Sequence, residues 1–359
     1  MRACRGCGGT DLHTVLDVGA VPAADYFPPA DEPVRAGESA HPLVMVLCET
    51  CALAQLADDD TVTQEPRGVE PQALRDQAED AVSRVSGAGW LRGGSVREFG
   101  SPHGGSWLPL LQERGFSLAT PQTPASLVLD TLGIMHEPDQ RAAFRERAES
   151  TAPDGVLLLQ YHSLVSIVTE GQWNALRHGH FAYYSLHALL RLLADAGMSP
   201  ASAWEFDLYG GTVLIAAVHG QVAPDAAVAK ILAEENELGI CDHHAVSTLQ
   251  GALDEQVGAL REWLCAESAT GRRVFAYSAA SRAVALFSLA NVDRRLVQAV
   301  ADASPTKQGR RMPGTDVPII SPADLTSSEP DKVLLTLPDL LPEISQSLPS
   351  LAGRWVVRP

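Results

Sequence analysis

The sequence predicts an α/β protein in three parts: a zinc-binding knuckle, a middle α/β unit and a second α/β unit toward the C-terminus. Three observations predict it. Four cysteines run Cys4-Arg-Gly-Cys7 and Cys48-Glu-Thr-Cys51, and two pairs at this spacing bring four thiolates to one tetrahedral cation. From Val96 to Gln160, short apolar runs alternate with helical patterns. That alternation marks a sheet whose ligands bind at the carboxyl ends of its strands. A further series of strand candidates follows from Arg273 to Thr336.

Taken in order, residues 1–58 form the knuckle, with Leu43 to Leu47 as a short strand delivering the second cysteine pair. A polar stretch, Asp58 to Gly68, leads into the middle unit, placed at 59–222. Leu74, Ala78, Ala81, Val82 and Val85 recur at helical spacing, and Gly87-Ala-Gly89 supplies a stop, so Pro71 to Trp90 reads as a helix. Strands are expected at Val96–Phe99, Ser126–Asp130, Gly155–Gln160 and Gly211–Ile215, with helices at Trp107–Glu113 and Gln140–Ser150. The last unit, 223–359, opens on a long helix, Ala226 to Leu264, interrupted near Gly239 to Asp242. It continues with strands at Arg273–Ala276, Gln298–Ala301, Val317–Ile320 and Lys332–Thr336, giving a Rossmann-like arrangement.

A shell of four cysteines leaves no open position, so the metal is structural rather than catalytic. Two disulfides are the alternative. No secretory segment precedes Cys4, and Cys241 and Cys265 follow no pattern, which favours zinc in a reducing cytoplasm. The chain of 359 residues carries 27 Lys and Arg against 44 Asp and Glu, a net charge of −17. No basic stripe is present to neutralise phosphates, so a nucleic-acid surface is not expected. Nor is any apolar run long enough to span a bilayer. The expected partner is a small molecule.

Several local runs carry a resemblance across most of the chain. They are the paired cysteines, His180-Phe-Ala-Tyr183-Tyr184, Tyr209-Gly-Gly-Thr212, and the stretch from Asp302 through Lys307, Arg310, Arg311 and Pro313 to Ile319. Together they resemble the deoxysugar C-methyltransferases of antibiotic biosynthesis, with a class I methyltransferase-like middle. The resemblance implies a nucleotide-linked 4-keto-6-deoxysugar substrate, methylated at carbon 3 by S-adenosylmethionine. Such chemistry needs a base for the proton alpha to the ketone and a donor for the enolate oxygen. By motif position His180 is the base and His136 a second histidine, while Tyr183, Tyr184, Tyr161 and His162 are candidates for the enolate. Tyr209 lies by the sugar site in this reading. The turn Glu98-Phe-Gly100 to Gly104-Gly105 is its cofactor loop, where absent side chains let backbone approach a ligand. Lys307, Arg310 and Arg311 suit the diphosphate, with a basic surface loop as the alternative.

Two departures alter what the resemblance implies. After Gly115 the chain reaches the strand at Ser126 within a few residues, and a strand-helix-strand crossover needs about 10 to 12 for its helix and turns alone. The second strand, its helix and the third strand are therefore expected to be missing, leaving a truncated middle unit and S-adenosylmethionine binding open. Where the family carries Tyr-x-Glu-His, this chain has Arg177-His178-Gly179-His180, and Arg177 and His178 would have to compensate for the lost acid. Three readings follow: an enzyme retaining His180-centred enolisation, a C-methyltransferase with a small cofactor site, and a catalytically silent partner in a biosynthetic complex.

Overall fold

The computed structural model describes residues 3–61, 69–102 and 104–357. Three sheets follow one another. The first contains β1 (Leu12–Val21), β2 (His41–Cys48) and β3 (Ala54–Leu56), joined antiparallel. Its strand at 41–48 is longer than the sequence predicted, and β1, whose polar residues mask its buried alternation, had no clear signal.

Helix α1 (Gln72–Gly87) buries Ala78, Ala81, Val82 and Val85 on one face, as its spacing requires. The middle unit then runs β4 (Ser95–Phe99), α2 (Leu108–Gln112), β5 (Ser117–Leu118), β6 (Ala125–Thr131), α3 (Gln140–Ser150), β7 (Thr151–His162), α4 (Leu164–Thr169), β8 (Ala182–Tyr183), α5 (Leu186–Asp195), β9 (Met198–Phe206) and β10 (Thr212–His219). Asp139, Ser163 and Ser185 cap α3, α4 and α5 by accepting backbone N–H groups of their first turns. Six of these strands form one sheet in the order β5-β4-β6-β7-β10-β9. The first four are parallel, and β10 runs antiparallel between β7 and β9. Strand β7 sits centrally, and its run Val156 to His162 is buried on both faces.

The expected gap after Gly115 is partly filled. Strand β5 exists, but its two residues pair with Ser95 and Val96 at the start of β4. From there the chain turns directly into β6, and the Arg97 guanidinium closes that turn by donating to the carbonyls of Thr120, Pro121 and Thr123.

Helices α6 (Ala226–Leu238) and α7 (His243–Ala269) follow, broken at Gly239, which adopts a left-handed φ of 64°. Helix α6 lies against β9, and the first half of α7 against β1. Farther along α7, Leu260 and Leu264 enter the core of the last sheet. That sheet comprises β11 (Val274–Tyr277), β12 (Val300–Ala301), β13 (Ile319–Ile320), β14 (Lys332–Leu335) and β15 (Trp355–Val356), all parallel in the order β13-β12-β11-β14-β15. Helix α8 (Ser281–Leu289) follows β11. Among the described residues no helix is long and apolar enough to cross a membrane.

Candidate functional site

The carboxyl ends of two sheets face each other across a cleft of about 220 Å³. Thr131, Leu132, Gln160 and His162 come from β6 and β7, and Tyr277, Ser278 and Asp302 from the ends of β11 and β12. Gly104, Gly105 and Glu70 close one end. Three residues without glycine's freedom adopt left-handed backbone here: Leu132 (φ 61°), Tyr209 (φ 56°) and Ser278 (φ 74°). Such strain persists where the surrounding structure fixes a functional geometry.

The segment carrying His180 is held from behind by the knuckle. Strand β3 pairs with β8, Leu56 N–H donates to Phe181 O (3.2 Å), and Asp59 accepts Gly179 N–H (2.6 Å). Phe181 in turn lies under the Arg5 guanidinium and donates its N–H to Met135 O (2.7 Å). His180 thus reaches the cleft from a braced loop. Its Nε2 accepts from Arg177 Nε at 2.8 Å, and Arg177 Nη1 donates to Ser281 Oγ at 2.5 Å on the opposite wall. The His136 ring stands edge-on to His180, 4.4 Å between centroids, and its Nδ1 donates to Gly179 O. An Nε2 that accepts from guanidinium places the neutral ring's proton on Nδ1.

Not every residue singled out in the sequence reaches this cleft. Tyr161 is adjacent to two cleft residues on a strand, so alternation turns it to the other face, where it packs against Tyr184. Tyr183 is buried, its hydroxyl bridging Ala175 O and Arg177 N–H, and Tyr184 donates to Gln140 while packing on Phe144. All three are core residues. His178 points backward to Pro42 O and His41. Arg310 donates to Phe27 O, and Arg311 is a buried fork on Glu38, so both fasten the 27–38 loop to the C-terminal unit instead of lining the cleft. Lys307 does line it, with Nζ on Ala279 O (2.9 Å). Tyr209, His162 and Arg177 also line it, whereas His136 stands behind His180. Burial, with Arg282 and Arg177 nearby, pushes His162 down to about 3, so it stays neutral.

The four cysteine sulfurs fit zinc. Cys4 and Cys51 Sγ lie 3.5 Å apart, Cys7 and Cys48 Sγ 3.6 Å, and all four lie within 4.8 Å of one another. A tetrahedron with bonds of about 2.3 Å separates its sulfurs by about 3.8 Å. A bound zinc would tie the turns 4–7 and 48–51 together.

The adenosyl half of S-adenosylmethionine fits less well. Gly104 (φ 84°) leaves open space beside its backbone, whereas Gly105 (φ 83°) is packed against Leu74 and Glu70, and Gly100 is exposed and outside the cleft lining. The Glu98 carboxylate accepts from Ser106 Oγ (2.5 Å) and Trp107 N–H (2.8 Å), so it shapes the loop. Burial pushes that carboxyl up. Strand β5 stops at the level of Val96 and continues into Ala119 and Thr120. At about 3.3 Å per residue it falls some 10 Å short of the edge where Phe99 ends β4.

Arg282 lines the cleft beside Arg177; in the sequence its run, Phe275 to Arg282, joins a strand to a helix through small residues as a phosphate loop would, a signal weakened by the absence of glycine.

A cleft between two α/β sheets, with an imidazole and guanidinium groups converging on it and a four-cysteine knuckle behind, defines a small-molecule site of the kind found at strand carboxyl ends. Residues 4–64 match the family model described as "Putative zinc binding domain", and 207–358 match "C-methyltransferase C-terminal domain". The chain is 27% identical to C-methyltransferase NovU of Streptomyces niveus over 403 aligned positions, covering 99% of this chain and 94% of that protein. Among solved structures, an O-methyltransferase family protein from Burkholderia thailandensis is 13% identical (42% of this chain, 58% of that one, TM-score 0.31). Magnesium protoporphyrin IX methyltransferase from Synechocystis, bound to S-adenosylhomocysteine, is also 13% identical (41% and 84%, TM-score 0.28). Scores this low carry no argument. Two family models thus match the chain in order, a zinc-binding domain before a C-methyltransferase C-terminal domain.

Proposed function

We propose that this chain enolises a carbonyl-bearing, sugar-like small molecule, a nucleotide-linked 4-keto-6-deoxysugar or a close analogue, with His180 as the base. The observation that carries the reading is the Arg177 side chain, which touches His180 Nε2 and Ser281 Oγ from a single guanidinium inside the cleft. When a carbonyl oxygen takes over the Arg177 donor, the Nε2 lone pair is released beside the alpha carbon. His180 then gains that carbon's proton, the C–H electrons move into the enolate, and the guanidinium holds its oxygen.

A shortened nucleoside pocket accompanies this proposal. Its support is the early end of β5, whose two residues pair only with Ser95 and Val96. On this basis proton transfer is the chemistry, leading to isomerisation, epimerisation or elimination. A second reading, methyl transfer to the enolate carbon, is favoured by the family matches and the glycine turn at 104–105. Solvent deuterium incorporation into a thymidine-diphosphate-linked 4-keto-6-deoxysugar tests enolisation. His180→Ala should lower its rate by about 10² to 10⁴, and exchange unaffected by that substitution would refute the role. Calorimetry with S-adenosylmethionine separates the two readings: micromolar binding restores methyl transfer, and no heat at millimolar concentration removes it.

A further inference from the structure

We infer that His13, Glu49 and His243 form a second metal site, separate from the four cysteines, for a divalent cation of the zinc class. Three stretches far apart in sequence meet there: the start of β1, the turn between Cys48 and Cys51, and the first residue of α7. His243 Nδ1 lies 2.9 Å from Glu49 Oε1, and His13 Nε2 lies 3.4 Å from the same oxygen. All three donor atoms fall within 4.8 Å of one another. The two imidazole rings stack, 4.4 Å between centroids and 14° between planes, with each presenting a nitrogen to the one carboxylate.

A surface ion pair needs a single imidazole, whereas here two converge on one oxygen. Two imidazoles and a carboxylate are the donor set of three-ligand zinc sites, in which water fills the remaining position. The side chains are 44%, 34% and 31% exposed, which leaves a side open to that water. Imidazole nitrogen favours zinc, cobalt or nickel, while magnesium and calcium take oxygen ligands. The ion would replace the proton that lies between His243 Nδ1 and Glu49.

Backbone contacts hold the donors in place without an ion. His13 pairs with Leu47 in the β1–β2 ladder, and Glu49 N–H donates to Asp11 O (3.1 Å). Asp242 caps α7 by accepting His244 N–H (2.8 Å), which fixes the turn carrying His243. Farther along that helix, Gln250 accepts Asp17 N–H (2.9 Å) and docks α7 on β1. The surrounding charge favours a cation. Among the described residues, Asp11, Glu49 and Asp242 form ion pairs with these imidazoles and with no Lys or Arg.

None of the three residues lines the cleft, so the ion would act on the architecture. Glu49 belongs to the turn that carries two knuckle cysteines, and α7 continues to Leu260 and Leu264 in the core of the last sheet. One cation would therefore fasten the knuckle to the helix that leads into the C-terminal unit.

The test uses the full chain with its knuckle already loaded with zinc. Equilibrium dialysis against further zinc should find a second equivalent. Cobalt(II) supplied instead should give visible ligand-field bands without thiolate charge transfer, the signature of nitrogen and oxygen donors. His13→Ala and His243→Ala should each weaken this uptake by at least the about 10- to 100-fold that loss of a supporting outer-shell partner costs, and should keep the first zinc. His244→Ala, the neighbour on α7, should bind as wild type. Added zinc should raise the melting midpoint of wild type more than that of His243→Ala. No second equivalent at millimolar zinc overturns the site, as does uptake unchanged in either histidine variant or cobalt bands of thiolate character alone. Melts without added metal show whether each variant is folded, and if one histidine variant is not, the other carries the comparison.

Discussion

The two flanks of the middle sheet differ sharply. On one side of β6, strands β7, β10 and β9 run twelve, eight and nine residues, and the end of β7 brings Gln160 and His162 to the cleft. On the other, β4 has five residues and β5 two, and the turn after β5 is tied off by Arg97. The long flank faces the C-terminal unit and is backed by the knuckle. The difference teaches that a sheet short at one edge can still line a cleft from both flanks: the loop after β4 contributes Ser101, Gly104 and Gly105, and the end of β7 contributes Gln160 and His162.

The largest test of this contrast is metal removal. If the knuckle braces the His180 loop through β3 and β8, stripping zinc should abolish a folded N-terminal sheet, since structural zinc contributes about 10 kcal/mol or more. Circular dichroism and a thermal melt after chelation should show that loss, and the deuterium exchange should disappear with it. Exchange that survives a zinc-free sample would disconnect knuckle from site.

Next comes pH on the long flank. The folded-state value of His162 lies near 3, below the ordinary 6.5, so the unfolded chain binds its proton first. Stability should therefore fall as pH drops from about 6.5 toward 3 and be unaffected by this group above that window. The contribution approaches about 1.4 kcal/mol per pH unit. Denaturant midpoints at pH 7 and pH 5 should differ less in His162→Gln than in wild type, and equal differences would show that the imidazole titrates freely.

The smallest expected effect lies on the short flank. Leu118 is 59% exposed at the edge of the sheet. Leu118→Lys should change stability by no more than about 0.5 kcal/mol, read from its melting curve. A larger loss would mean that β5 is covered by something, and the proposed reduction of this side would have to be redrawn.

Legibility followed the range of the interactions. Helix α1, strands β4, β6 and β7, helix α3 and the interruption between α6 and α7 all carry local period or cap signals, and the structure places them within a few residues of expectation. Strand β9 (Met198–Phe206) mixes Ser, Pro and Trp with Glu and shows no alternation, so its place beside β10 depends on pairing between segments. Tyr161, Tyr183 and Tyr184 are chemically suited to hold an enolate, and only their packing shows that they belong to the core. Arg311 had the same ambiguity: a guanidinium in a basic run reads as a phosphate ligand until Glu38, far away in sequence, is found paired with it.

The sequence by itself determined the metal knuckle and the α/β class. Cysteine spacing and hydrophobic period are properties of neighbouring residues and survive without knowledge of the fold. It also marked His180 by its position in a short run. The tertiary structure decided which side chains share the cleft, because Arg177, Ser281 and Arg282 meet only when the ends of β7 and β11 face one another. It decided, too, how far the second strand extends, since register is set by hydrogen bonds to β4 and leaves no mark in the local sequence.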